Sequence, residues 1–255
     1  MSDDTKNELP YVLVAPNGAR RGQRDHAALP VAMDQIVQTA RACHGSGAHG
    51  IHLHVRDGAG RHSLDAGLYL ETIAELQRCV PRMDIQITTE AAGIYDVAAQ
   101  QACLKAVQPQ WASISVREIA REPDLAPRVY ARCHEQGTRV QHILYDAADA
   151  ELLTRWQADA IVQLDQTDRL LVLGRYASGQ QSDPADLDQF PASPARWMVC
   201  AFGAQEHACL ARAAALGGDV RVGFENALTG PDGVPWADNA ASVAALVDVL
   251  KGNLK

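Results

Sequence analysis

The chain has 255 residues, of which 47% are apolar and 21% charged. That balance builds a globular core and excludes a disordered or low-complexity chain. The formal net charge of −8 argues against a nucleic-acid duplex as partner, and no apolar run approaches the roughly 18 residues that span a bilayer. The opening "MSDDTKNELP" has neither a basic nor an apolar signal-peptide region. The six cysteines form no CxxC pair. In such a chain they read as reduced, buried thiols, and the expected location is cytoplasmic.

In chain order, β-like apolar runs occur at 11–16, 50–55, 84–90, 111–116, 139–145, 169–174, 196–202 and 219–225. Segments with helical spacing lie between them: Val31–Cys43, Asp65–Cys79, Val97–Ala106, Ala148–Gln157, Ala204–Leu216 and Asn239–Leu250. Strands alternating with helices imply βαβ units and a parallel sheet. Eight units in a chain of this length predict a single-domain (β/α)8 TIM barrel over residues 1–255. A doubly wound open sheet is the alternative, but no GxGxxG follows the first strand. In 158–195 the run at 160–165 competes with 169–174 for the sixth strand, and the polar stretch 176–194 reads as a long loop with one helical turn.

In a barrel of this kind, chemistry sits at the C-terminal ends of the strands. There the second run carries "IHLHVRDGAG". His52 and His54 share parity, so both rings face one space. Neutral imidazole is a common zinc ligand; the alternative is a pair of rings bonded to loop backbone. Glu225 ends the eighth run, beside the start of the barrel. A buried carboxylate needs a partner, either a metal or an arginine such as Arg56 or Arg117. Two histidines and one carboxylate leave zinc with an open position, the pattern of catalytic sites.

Other polar groups fall at predicted strand ends: Asn17 after strand one, Thr88 and Thr89 at strand three, Ser115 at strand four. Threonine is also an ordinary strand former. Arg221 shares parity with Glu225, but four extended residues span about 13 Å, which sets Arg221 deep in the barrel. The loop after strand one carries Arg20, Arg21, Arg24 and His26. Guanidinium forks suit carboxylates and phosphates, so this loop points to an anionic ligand or is a solvated surface. Arg56 and Asp57 either brace the mouth or back the histidines.

The stretches "APNGAR", "HLHVRDGAGRHSLD", "ITTE" and "RVGFENAL", in that order, resemble the β-keto acid cleavage enzyme family, whose best-described members are the 3-keto-5-aminohexanoate cleavage enzymes. The resemblance runs over essentially the whole chain. It implies a zinc-dependent TIM barrel, usually a homotetramer, that takes a small β-keto acid and acetyl-CoA and releases acetoacetate and a new acyl-CoA. It assigns His52, His54 and Glu225 to the metal, and Arg221 and Thr88 to catalysis. Asn17, Arg20, Arg21, Thr89 and Asn226 are the substrate-binding candidates.

The sequence also departs from the pattern. Asn226 stands where those members carry an aspartate, and "QHILYD" lacks their strand-five glutamate, offering Gln141 and His142 instead. The base that removes a substrate proton is thus unassigned, with His142 the nitrogen base at hand. Glu90 and Glu118 are acids available to a cationic substrate side chain, in a pocket built from loops 116–122 and 175–195. A zinc hydrolase on the same barrel is a second reading, although hydrolases of the amidohydrolase type carry HxH on the first strand. A non-catalytic, metabolite-binding barrel is a third.

Overall fold

The computed structural model describes residues 9–174 and 181–252. Within them eight parallel strands close a barrel: β1 (Val12–Val14), β2 (Gly50–Leu53), β3 (Asp84–Thr88), β4 (Trp111–Ser115), β5 (Arg139–Leu144), β6 (Asp168–Leu173), β7 (Trp197–Ala201) and β8 (Asp219–Val222). Each strand pairs with its sequence neighbours, and β1 closes the ring against both β8 and β2. The helices are α1 (Met33–Gly45), α2 (Ala66–Cys79), α3 (Val97–Val107), the short α4 (Val116–Ile119), α5 (Ala126–Glu135), α6 (Ala147–Ala158), α7 (Glu206–Ala215) and α8 (Asn239–Gly252). Asp65, Asp96 and Asp146 cap α2, α3 and α6 by accepting a backbone N–H of the first turn. Such a cap stabilises a helix start by about 1 kcal/mol.

Alternation along the strands sorts the core in two. Outward residues such as Val14, Ile51, Leu53, Ile87 and Val222 join the helices in the larger apolar cluster. Inward residues Leu13, Trp111, Ile143, Leu170, Val172, Met198 and Cys200 form the smaller one. The interior is not wholly apolar: Gln86, Ser113, Gln141 and Arg221 are buried on inward positions of β3, β4, β5 and β8. At the N-terminal ends Arg139 meets Asp168 at 2.5 Å and Arg196 meets Asp219 at 2.6 Å, bracing the face opposite the site.

Of the two runs that compete for the sixth strand the structure takes the later, Asp168–Leu173, as expected, and 160–165 is irregular: the Gln166 amide donates to the Tyr130 carbonyl and its side-chain oxygen accepts from Gln163 N–H. Helix α5 was missed because its buried residues Val129, Tyr130 and Cys133 are diluted by arginines, histidine and glutamate. Between β6 and β7 the described residues hold a 3-10 turn, Pro184–Gln189, capped by Asp183. Residues 175–180 of the expected long loop lie outside the described residues. No described helix is long and apolar enough to cross a membrane.

Candidate active site

His52 is the inward residue before the end of β2, and His54 follows one residue past that end. Strand parity carries through, and both rings enter the barrel mouth fully buried. Their Nε2 atoms are 3.1 Å apart. Glu225 does not extend β8. The strand stops at Val222, and Gly223, at φ +139°, turns the backbone. Glu225 N–H then donates to the Ala15 carbonyl at 3.0 Å, which brings the carboxylate back over the site. One carboxylate oxygen, Oε2, lies 3.6 Å from His52 Nε2 and 3.4 Å from His54 Nε2. Atoms bound at about 2.0–2.1 Å to one tetrahedral ion lie roughly 3.3 Å from each other. The observed triangle fits a zinc-sized ion, and the donor set of two imidazoles and a carboxylate suits it.

The same turn corrects the expected depth of Arg221. Its guanidinium donates to Glu225 Oε1 at 3.1 Å, because the chain between them folds back instead of running extended. Burial alone would raise the Glu225 carboxyl; the Arg221 guanidinium is the largest influence against it, and the group is held well below the carboxylate range. Burial, then Arg221, push His52 down to about 3, so its ring is neutral and able to ligate. The other arginines named as partners for Glu225 are engaged elsewhere. Arg117 pairs with Asp146 and Asp149, each at 2.7 Å. Arg56 donates to the carbonyls of Ala19 and Gly60 at 3.2 Å and of Arg21 at 3.0 Å, and so braces the mouth.

Above the triad is a cavity of about 360 Å³, lined among others by His52, Thr88, Glu90, Arg117, Glu118 and Tyr145. Arg20 and Arg221 also line it. Thr88 faces it from the end of β3, its hydroxyl accepting the Glu90 N–H at 3.0 Å. Arg20 reaches Glu90 at 3.6 Å. Burial raises the carboxyls of Glu90 and Glu118. Glu118 is anchored by the Ala91 N–H and the Gln100 amide, at 2.9 and 2.8 Å.

Four expected substrate contacts are not on the cavity wall. Arg21 donates to the Phe224 carbonyl at 2.7 Å, tying the first loop to the turn that carries Glu225. Asn17 donates to the Pro30 and His54 carbonyls, and so supports the backbone that carries His54. The Thr89 hydroxyl donates to Ser113 O, because the residue after Thr88 points away from the barrel. Asn226 is fully buried, its backbone N–H bonded to the Gly223 carbonyl. His142 is also excluded as a base. It sits on the outward face of β5, lies tilted 5.4 Å from the Tyr130 ring and bonds through Nε2 to the Gln166 carbonyl at 2.9 Å.

Two residues near the triad escaped the sequence reading. His62 pairs across the short antiparallel ladder Val55–Arg56/His62–Ser63, packs 5.2 Å from the His54 ring and donates to the Glu90 carbonyl at 2.8 Å. Gln86 Oε1 lies 2.7 Å from His52 Nδ1. Its only sequence signal was its parity with Thr88.

Residues 11–253 match the model of the beta-keto acid cleavage enzyme family. The chain is 24% identical over 243 residues to the 3-keto-5-aminohexanoate cleavage enzyme of Fusobacterium nucleatum subsp. nucleatum, covering 92% of this chain and 88% of that one. It is 24% identical over 247 residues to the enzyme of the same name from Acetoanaerobium sticklandii, covering 92% and 89%. Among solved structures, ObcA in a ternary complex with a C4-CoA adduct and oxalate superposes with a TM-score of 0.63 at 19% identity. That match covers 89% of this chain but only 64% of ObcA, and the likeness is one of fold.

Proposed function

This chain belongs to the beta-keto acid cleavage enzyme family, and from that premise we propose that it condenses a small β-keto acid with acetyl-CoA at a zinc site formed by His52, His54 and Glu225. The products are acetoacetate and a new acyl-CoA. The observation that carries the reading is the triangle of ligand atoms, 3.1 to 3.6 Å on a side, at the floor of the cavity. When bound, the metal supplies a Lewis acid for the charge that develops on the keto group.

The chain's own residues divide the remaining work. Arg221 takes one oxygen of Glu225, which leaves the other directed at the histidines. Glu90 is the proton acceptor. It lines the cavity, and burial raises its carboxyl toward the range where a general base works best. It thus supplies the acid–base function that Asn226 and the strand-five segment lack. Arg20 steadies the Glu90 carboxylate and, being half exposed, also meets the substrate carboxylate at the rim. Thr88 donates its hydroxyl hydrogen into the cavity, since its oxygen already accepts the Glu90 N–H.

The reaction balances without a further reactant. Glu90 removes a C2 proton, and C2 attacks the acetyl carbonyl as CoA thiolate leaves. The thiolate adds to the former keto carbon. The C2–C3 bond then breaks, and C2 recovers a proton as acetoacetate departs. A buried binding site of a few hundred cubic ångströms suits the small keto acid. By this reading the acetyl-CoA enters from the mouth, and the protein works as an oligomer.

The test is acetyl-CoA labelled at the acetyl carbonyl, incubated with a panel of β-keto acids and the zinc-loaded protein. Label in the ketone carbon of acetoacetate supports the reading, and Glu90→Gln should then lower kcat with little change in metal content. Cleavage that proceeds without acetyl-CoA, or label that never leaves the acetyl pool, overturns it.

A further inference from the structure

We infer that Gln86 is a positioning residue that fixes the tautomer of His52, and that Gln141 and Met198 behind it fix Gln86. The inference rests on the metal reading above and adds to it a set of residues deep in the barrel. His52 and Gln86 are register partners on β2 and β3, so their side chains enter the barrel side by side. His52 Nδ1 is 2.7 Å from Gln86 Oε1. The Gln86 amide donates to Gln141 Oε1 at 3.0 Å. The Gln141 amide donates to Met198 Sδ at 3.7 Å. All four side chains are buried, on β2, β3, β5 and β7.

The direction of this chain is set by its far end. A glutamine amide has one accepting and one donating end, and rotating it exchanges them. A thioether sulfur accepts and never donates. Gln141 must therefore turn its NH2 toward Met198 and its oxygen toward Gln86. Gln86 must then turn its NH2 toward Gln141 and its oxygen toward His52. An oxygen beside Nδ1 requires the ring proton on Nδ1. Nε2 is left with its lone pair, aimed at His54 and at Glu225 Oε2. Rotating either glutamine sets two acceptors against each other in a buried space where no water can satisfy them.

The arrangement is asymmetric. His54 Nδ1 has no hydrogen-bond partner among the described residues. His52 is thus the preset ligand, and His54 must place its own proton on Nδ1 when it ligates. Outer partners of this kind tune metal affinity by about 10–100-fold. They also explain a polar layer in a barrel interior that branched apolar side chains ordinarily fill. Gln141 stands in the strand-five segment where a glutamate was expected, and it turns inward to this chain.

The experiment combines histidine nitrogen NMR on the metal-free protein with zinc affinity measured against a chelator. The His52 signals are assigned by their loss in His52→Asn. The expected result is His52 protonated on Nδ1, with Gln86→Leu lowering zinc affinity by about 10–100-fold and Gln86→Glu, which keeps an oxygen on Nδ1, retaining most of it. A His52 protonated mainly on Nε2 in the wild type overturns the inference by itself, whether or not any variant folds. Tight zinc binding by wild type and Gln86→Leu alike overturns it while leaving the metal site standing. Failure of the wild type to bind zinc overturns both.

Discussion

Replacing Gly223 by alanine tests how the backbone delivers Glu225. At φ +139° the residue adopts a conformation that L side chains rarely reach. A Cβ there would lie 2.5 Å from the Ala15 carbonyl oxygen and 3.0 Å from Asn239 Oδ1. Neither neighbour is free to move. Ala15 O accepts the Glu225 N–H at 3.0 Å, and Asn239 Oδ1 accepts the Phe224 N–H at 2.9 Å. Backbone strain costs about 1–3 kcal/mol, and forcing a methyl into a packed site costs about as much again. The stiffer unfolded chain returns about 0.4–1 kcal/mol of this. The net expectation is a loss of about 1–5 kcal/mol by urea unfolding, together with weaker zinc binding. Gly217 serves as control, at φ +84° with nothing within 4 Å of an added Cβ; its alanine variant should lose only about 1–2 kcal/mol and keep its zinc affinity. A Gly223→Ala protein no less stable than Gly217→Ala, with unchanged zinc affinity, would refute the argument that a glycine-only turn carries Glu225 into the site.

Arg221→Met leaves a buried carboxylate without its guanidinium. The metal-free protein should lose about 3–5 kcal/mol of stability, and zinc should narrow the gap because the ion replaces the lost charge; equal losses with and without zinc would contradict this. His142 gives a pH prediction away from the site. Burial lowers it from its ordinary 6.5 to about 4, so between those values the unfolded chain holds a proton that the folded protein lacks. The wild type therefore loses stability relative to His142→Asn as pH falls through that window, by about 1.4 kcal/mol per pH unit. Denaturant melts of the two proteins at a series of pH values read this slope directly, and parallel curves would rule it out.

The barrel was legible because β/α alternation is a property of local pattern, and the parity of His52, His54 and Thr88 survives folding unchanged. Parity also held for His142, but the sequence did not reveal which face of β5 is the inner one. Once Gln141 and Ile143 take the interior, His142 must point outward. The pairing of Arg221 with Glu225 was lost for a different reason. Extended-strand spacing does not hold across Gly223, just past the end of the strand at Val222. The donors of Asn17 and Arg21 reach backbone carbonyls supplied by residues 37 and 203 positions away. Such long-range partners have no local signature. Helix α5 failed by composition, since a strongly polar outer face dilutes the apolar positions that define it.

The most direct test of the account is zinc content per chain, by elemental analysis after loading and dialysis, for the wild type and for Glu225→Gln. Glutamine keeps the size of the side chain and removes the carboxylate that ligates and that Arg221 holds. The account predicts about one zinc per chain in the wild type and a sharp fall in the variant. Equal zinc in both proteins, or none in either, would contradict a metal centre of His52, His54 and Glu225.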